Sequence, residues 1–326
     1  IPMTESAVSP VVVASKCLGF EACRWNGITV NDAFVDSLQD HVTFQTTCPE
    51  VEIGLGCPRK PIRIVRGADG ERLVQPETGR DVTDEMTAFV QTYLDAIDTV
   101  DGFILKYKSP SCGISNVKLY PDAEAKTPAG RTAGFFGRAV QERFPDVPIE
   151  DEGRLHNFSI REHWLTKLFT FARFRKAMEA GRMRDLVRFH TEHKLLLMAY
   201  SQKGLKALGR IVANEKKAPL DELVPAYRTE LARALARAPK FTSAINVLMH
   251  GMGYFSEQLN AEEKAYFLDT LEQYRNAQVP LSVPVGVLKS WIARFSEDYL
   301  ASQVFFEPYP RALVEITDSG KGRKIR

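Results

Sequence analysis

The sequence predicts a two-part chain: an α/β part with a three-layer build and a mainly parallel sheet over residues 1–150, then an all-α part over 151–326. Three observations predict it. In the first part short apolar runs alternate with helical periods, the pattern of strands joined by helices. All five cysteines (17, 23, 48, 57 and 112) fall there, three of them in turns that follow apolar runs. Beyond Pro148 no proline occurs until Pro219, and Lys, Arg, Ala, Leu and Met dominate. At 326 residues the chain is long enough for two domains with substantial cores.

Val11 to Ala14 reads as a central parallel strand. Asn31 or Asp32 is placed to cap a helix running to Gln39. Val42 to Thr46 alternates as a second strand and leads into Thr47-Cys48-Pro49-Glu50. Pro61–Val65 and Glu71–Val74 flank Ala68-Asp69-Gly70 as a hairpin. Thr83 is expected to cap a helix from 84 to 97. Gly102 to Tyr107 is the third main strand, broken abruptly by Ser109-Pro110-Ser111-Cys112-Gly113. Ala129 to Phe144 reads as a helix stopped by Pro145. In the second part helices are expected near 160–179, 183–214, 221–238, 241–258, 261–276 and 284–302. Asn260 and Glu263 have capping-box spacing. The basic tail Lys321 to Arg326 is expected to be disordered.

Net charge is +2 but unevenly divided. Residues 1–150 carry 15 basic and 21 acidic side chains, residues 151–326 carry 28 and 20, and 161–217 alone has 14 against 5. The basic half suits a polyanion such as RNA, or is a helical domain with solvated faces. No apolar run approaches the length of a membrane span. The opening residues lack a basic segment followed by an apolar block, so a cytoplasmic location and no membrane partner are expected. A monomer is favoured.

An odd number of cysteines in a chain of this size argues against a disulfide scaffold. Cys17, Cys48 and Cys112 each follow a strand, where α/β folds place their sites. The expectation is that the three thiolates share one metal centre, zinc or an iron–sulfur cluster. Their spacing is weakly diagnostic, since no CxxC pair occurs. Three ligands on a four-iron cluster would leave one iron open to a substrate atom. Cys23 is a candidate fourth ligand, and Cys57 reads as a small buried residue. Glu50, two residues from Cys48, is either an acid–base group, a surface carboxylate or a partner of Arg59. Ser109 and Ser111 flank Pro110: one is placed to bond a ring or a water, the other to cap a turn. Arg24, Arg59, Lys106 and Lys108 either meet substrate or phosphate or form a solvated face, with the two lysines on one strand face. Asn26 is a weaker reader of a pyrimidine edge.

The segments Cys17-Leu-Gly, Cys23-Arg-Trp-Asn-Gly, Cys48-Pro-Glu-Val, Gly54-Leu-Gly-Cys-Pro-Arg59, Gly79-Arg-Asp-Val-Thr83 and Ser109-Pro-Ser-Cys-Gly113 resemble the bacterial thiouracil desulfidase family. Phe189-His-Thr-Glu-His-Lys-Leu-Leu-Leu-Met198 resembles the helical domain often fused behind it, so the resemblance covers nearly the whole chain. It implies a [4Fe-4S] cluster held by Cys17, Cys48 and Cys112 with one open iron. It also implies an enzyme that converts 4-thiouridine in tRNA to uridine and releases hydrosulfide. Trp25 stands where the family run has tyrosine, and Lys16 and Phe20 alter the surroundings of the first cysteine. A desulfidase for free thiouracil or thionucleotides is the first alternative. A non-enzymatic iron–sulfur sensor or RNA-binding protein is the second.

In the second part Arg184 and Arg188 share a helix face and, with Lys194, are candidates to track a phosphate backbone. His190 and His193 read as satisfied, semi-buried histidines rather than a metal pair. The thiolated base would have to be unstacked into a pocket while phosphates are gripped outside.

Overall fold

The computed structural model describes residues 8–314; the tail Lys321 to Arg326 lies outside them. Two compact units are formed, the first taking in the described chain through Ala172 and the second Arg173 to Arg311. The first unit runs past residue 150 because the strand Ile149–Asp151 completes its sheet and Trp164 beyond it packs against Phe34.

That unit is an α/β domain. Strands β1 (Val11–Ser15), β2 (Thr43–Thr47), β6 (Gly102–Leu105) and β9 (Ile149–Asp151) form an all-parallel sheet in the order β2-β1-β6-β9. Helices cover both faces, which is why the two central strands, β1 and β6, are near-continuous apolar runs. On one face Val13, Phe103 and Leu105 pack with Met86, Val90 and Leu94 of α3 (Thr83–Asp95) and with Phe136 and Val140 of α4 (Phe135–Arg143). On the other, Phe34 of α1 (Ala33–Leu38) meets Trp164 of α6 (Phe158–Met178), ring centroids 6.3 Å apart. Short helices α2 (Pro49–Glu52) and α5 (Glu152–Leu155) follow β2 and β9. A second, mixed sheet orders β5 (Arg80–Asp81), β4 (Gly70–Gln75), β3 (Arg63–Gly67), β7 (Val117–Tyr120) and β8 (Gly130–Thr132), with the expected hairpin at β3–β4.

Three local expectations differ from the structure. Asp32 caps α1, accepting from the amides of Phe34 and Val35 at 3.0 Å, but Thr83 is the first residue of α3 and not its cap. Its hydroxyl instead accepts from the Leu73 amide at 2.8 Å and donates to Asp81 at 2.6 Å, tying the helix to β4 and β5. The span expected as one helix from Ala129 opens with strand β8, pairing Gly130–Thr132 with β7, before α4 begins. Strand β6 ends at Leu105, so Lys106 and Lys108 do not share a strand face; Lys108 has left-handed backbone with φ 58°.

The second unit is helical: α7 (Met183–Glu192), α8 (Lys194–Tyr200), α9 (Gln202–Ala213), α10 (Leu220–Ala234), α11 (Phe241–Gly253), α12 (Ala261–Arg275) and α13 (Ser282–Phe295). The helix expected over 183–214 is broken twice. The chain leaves helical geometry at His193, and Ser201 turns extended and caps α9 by accepting from the Gly204 amide at 3.0 Å. The capping box at Asn260 and Glu263 forms, with bonds of 2.8 and 2.9 Å. Among the described residues no helix is long and apolar enough to cross a membrane.

Candidate active site

The carboxyl ends of β1, β2 and β6 lie side by side, so the residues after Ser15, Thr47 and Leu105 converge. They line a cavity of about 300 Å³ that contains Cys17, Cys23, Cys48 and Cys112. Glu50, Ser109 and Ser111 line it as well, as do Arg24, Arg59, Lys106 and Lys108. Such a volume suits a small ring. Asn26 is exposed and does not line the cavity; Arg184, Arg188 and Lys194 are exposed residues of the second unit.

Position comes from backbone. Cys48 is the residue before α2, whose first turn carries Glu50 inward to 8% exposure. Pro49 at the first helical position is pre-set for that turn. The Ser109–Gly113 loop is clamped from behind by the start of α4. An added Cβ on Gly134 would lie 2.4 Å from the Ser111 carbonyl oxygen, and one on Gly137 would lie 2.6 Å from that of Cys112. Only glycine permits that approach. Ser109 Oγ accepts from the Ser111 and Cys112 amides at 3.2 and 3.1 Å, so Ser109 is the turn-capping serine.

Ser111 is the other one. Its hydroxyl donates to Glu50 Oε1 at 2.7 Å and lies 2.9 Å from Ser109 Oγ. Arg59 meets the opposite carboxylate oxygen, with Nε at 2.8 Å and Nη2 at 2.7 Å from Glu50 Oε2. Its Nη1 donates to the carbonyls of Cys23 and Gly56 at 2.8 and 2.9 Å. Arg59, Glu50, Ser111 and Ser109 thus form one hydrogen-bonded row that lines the cavity together with the cysteines. The row can orient a carboxylate and pass a proton along two hydroxyls.

The thiols are largely buried. Burial, opposed by hydrogen bonding to Ser15 and Ser111, pushes Cys112 up to about 12. Burial and the neighbouring Cys48 push Cys23 up to about 12. Burial raises Cys17 further still. In each case burial favours the neutral thiol over the thiolate.

These environments correct the cofactor expectation. Among the described residues no group of three or more His, Cys, Asp or Glu side chains is placed to hold a metal ion. The expected [4Fe-4S] cluster on Cys17, Cys48 and Cys112, with one open iron, is overturned by that finding. Cys112 packs in the main apolar core, while Cys17 and Cys48 group with Cys23 and Val51. Cys48 Sγ donates to the Cys23 carbonyl at 3.7 Å, and Ser111 Oγ lies 3.8 Å from Cys112 Sγ. Cys57 also departs from expectation. It is exposed, on a loop opened by Gly54 and Gly56 at φ 80° and 71°, with its sulfur 3.0 Å from the Ala22 carbonyl oxygen.

Two contributors were missed in the sequence. Ser15 accepts from the Lys106 amide at 2.9 Å, and Glu152 binds both the Lys106 ammonium and, at 2.7 Å, the Tyr107 amide. A hydroxyl ending an apolar strand was the available signal for Ser15. Glu152 had none, since its partner lies 46 residues away.

Residues 12–152 match the 2-thiouracil desulfurase family, and residues 194–310 match a family described as a protein of unknown function, DUF1722. The uncharacterized protein YbbK of Bacillus subtilis (strain 168) is 32% identical over 111 residues, 32% of this chain and 73% of that protein. This chain belongs to the 2-thiouracil desulfurase family. Desulfidase activity in general goes with that membership, and the cavity described above falls within the matched region. The uncharacterized protein YbgA of Escherichia coli (strain K12) is 28% identical over 151 residues, 46% of this desulfurase-family chain and 89% of YbgA. A solved structure titled as the [4Fe-4S]-dependent thiouracil desulfidase TudS shares 26% identity, with a TM-score of 0.36 over 45% of this chain and 93% of that one.

Proposed function

We propose that the chain replaces the sulfur of a thiolated pyrimidine by oxygen, and that its substrate is 4-thiouridine carried in tRNA. The observation that carries the reading is the Arg59–Glu50–Ser111–Ser109 row lining one base-sized cavity together with Cys17, Cys23, Cys48 and Cys112. In net terms a thiocarbonyl and water give a carbonyl and hydrogen sulfide, with no change of oxidation state. A water at the Ser111 hydroxyl adds its oxygen to the ring carbon and passes its proton through Ser111 to Glu50. The C–S bond then breaks and the sulfur leaves as hydrosulfide. Arg59 keeps the Glu50 carboxylate oriented.

The tRNA substrate is supported by the exposed Arg184, Arg188, Lys194, Lys203, Lys206 and Arg210 of the second unit, which suit a phosphate backbone. The cavity volume by itself also suits a free thiolated base, which is the second reading. Hydrosulfide release from 4-thiouridine-containing tRNA, 4-thiouridine and thiouracil tests both. Faster release from tRNA is expected, and Glu50→Ala should lower it about 100-fold or more. Equal turnover of tRNA and free base would refute the tRNA assignment. Release from none of them, or an unaffected Glu50→Ala, would refute the site.

A further inference from the structure

Cys23 and Cys48 are separated by 25 residues in the chain, yet their side chains meet in the cavity wall. Both are buried, and they pack in one small cluster with Cys17 and Val51. Cys48 Sγ lies 3.7 Å from the Cys23 carbonyl oxygen, and the Cys48 thiol is also a hydrogen-bond partner of the Cys23 thiol. Sulfurs in that relation need little backbone movement to bond, and backbone movement is the usual obstacle to a disulfide. Cys112 is engaged differently, packed in the main core and hydrogen-bonded to Ser15 and Ser111.

The two sulfurs have unequal surroundings. Arg59 Nη2 lies 3.9 Å from Cys48 Sγ, and the same nitrogen holds Glu50 Oε2 at 2.7 Å. A guanidinium beside a sulfur steadies the charge of an attacking thiolate, the form that reacts with peroxides. At Cys23 burial favours the neutral thiol, which makes it the slower of the two toward an oxidant. A cavity of about 300 Å³, lined in part by the half-exposed Trp25, admits an oxidant the size of hydrogen peroxide.

We propose that Cys23 and Cys48 are a reversible thiol–disulfide pair that a hydroperoxide closes, with Cys48 the attacking sulfur and Cys23 the resolving one, and that closure slows the site. The Cys48 sulfur attacks the peroxide, an S–O bond forms as the O–O bond breaks, and the departing oxygen leaves as water, or as an alcohol from an organic peroxide. The product is a Cys48 sulfenic acid. The Cys23 sulfur then attacks it, the S–S bond forms, the S–O bond breaks and a further water leaves. Two thiols have given up two electrons and two protons, and one peroxide has been reduced. A thiol reductant reverses the bond by exchange. The link bears on catalysis because Arg59 Nη1 holds the Cys23 carbonyl at 2.8 Å while Cys48 stands two residues from Glu50. That consequence rests on the desulfidase reading of the cavity; the link itself does not.

The test treats the full chain with hydrogen peroxide, blocks remaining thiols with iodoacetamide and digests it unreduced with a glutamate-specific protease. Cleavage at Glu21 parts Cys17 from Cys23, and cleavage at Glu50 and Glu52 parts Cys48 from Cys57, so mass spectrometry identifies the pair. A Cys23–Cys48 linked peptide is expected, with free thiols falling from five to three per chain and hydrosulfide release falling with them. Dithiothreitol should restore both. Cys57→Ser, on the exposed loop, should still form the link. In Cys23→Ser the oxidised Cys48 has no resolving thiol, so dimedone should label it; in Cys48→Ser dimedone should leave Cys23 unlabelled. A linked pair other than Cys23–Cys48, no loss of thiols, dimedone on Cys23 in Cys48→Ser, or an oxidised form as active as the reduced one overturns the proposal. If the link forms and reverses while neither state releases hydrosulfide from any thiolated substrate, the desulfidase reading fails and the thiol pair stands.

Discussion

Replacing Arg59 by alanine tests the central row of the site. Its side chain is 4% exposed, and that of its partner Glu50 is 11% exposed. Arg59 places two donors on one Glu50 oxygen, at 2.8 and 2.7 Å, and its third nitrogen satisfies two backbone carbonyls. Truncation leaves a buried carboxylate without its counter-charge, a loss of about 3–5 kcal/mol, and the orphaned carbonyls add on the order of 1 kcal/mol each. Urea unfolding of the wild type, Arg59→Ala, Glu50→Gln and the double variant measures this directly. The double variant no longer carries the unpaired charge, so the two effects should fall short of additivity by at least about 1 kcal/mol. Arg59→Lys keeps the charge but loses the fork, and should lie between wild type and Arg59→Ala. A loss below about 1 kcal/mol for Arg59→Ala, or strict additivity of the two single changes, would refute the claim that the pair is buried and coupled.

Two more outcomes follow from other parts of the first unit. Burial raises the Asp151 carboxyl from 3.8 to about 6, so between those values the folded state holds the extra proton and stability falls as pH rises. Asp151→Asn should therefore unfold like the wild type near pH 4 but be more stable at pH 7.5, by up to about 3 kcal/mol; a stability gap that does not change with pH would contradict this. Gly137→Ala would set a methyl 2.5 Å from the Gly113 carbonyl oxygen, on backbone that has no room to yield. It should cost about 1–3 kcal/mol in urea unfolding and slow hydrosulfide release by displacing the Ser111–Cys112 segment, and a neutral effect on both would show that the clamp is unimportant.

Much of this molecule was legible from residue order alone. The apolar runs at Val11 and Gly102 became neighbouring central parallel strands, because a continuous apolar run can be satisfied only by burial on both faces, and the alternating segment after Val42 became the edge strand beside them. The turn chemistry after each of them marked Cys17, Cys48 and Cys112, and the same logic brought Glu50, Ser109 and Ser111 into view. What residue order left undecided was pairing across distance. Whether Glu50 was a surface carboxylate, a partner of Arg59 or an acid–base group depended on which side chains α2 would meet; it meets Arg59 on one oxygen and Ser111 on the other. Glu152 reaches Lys106 because β9 pairs with β6, a contact no local pattern encodes. The state of the thiols was likewise a tertiary matter. Sequence places sulfur at the ends of strands, but desolvation and the groups each sulfur faces decide whether it is a ligand or a proton-bearing thiol, and those exist only once the chain has closed around it.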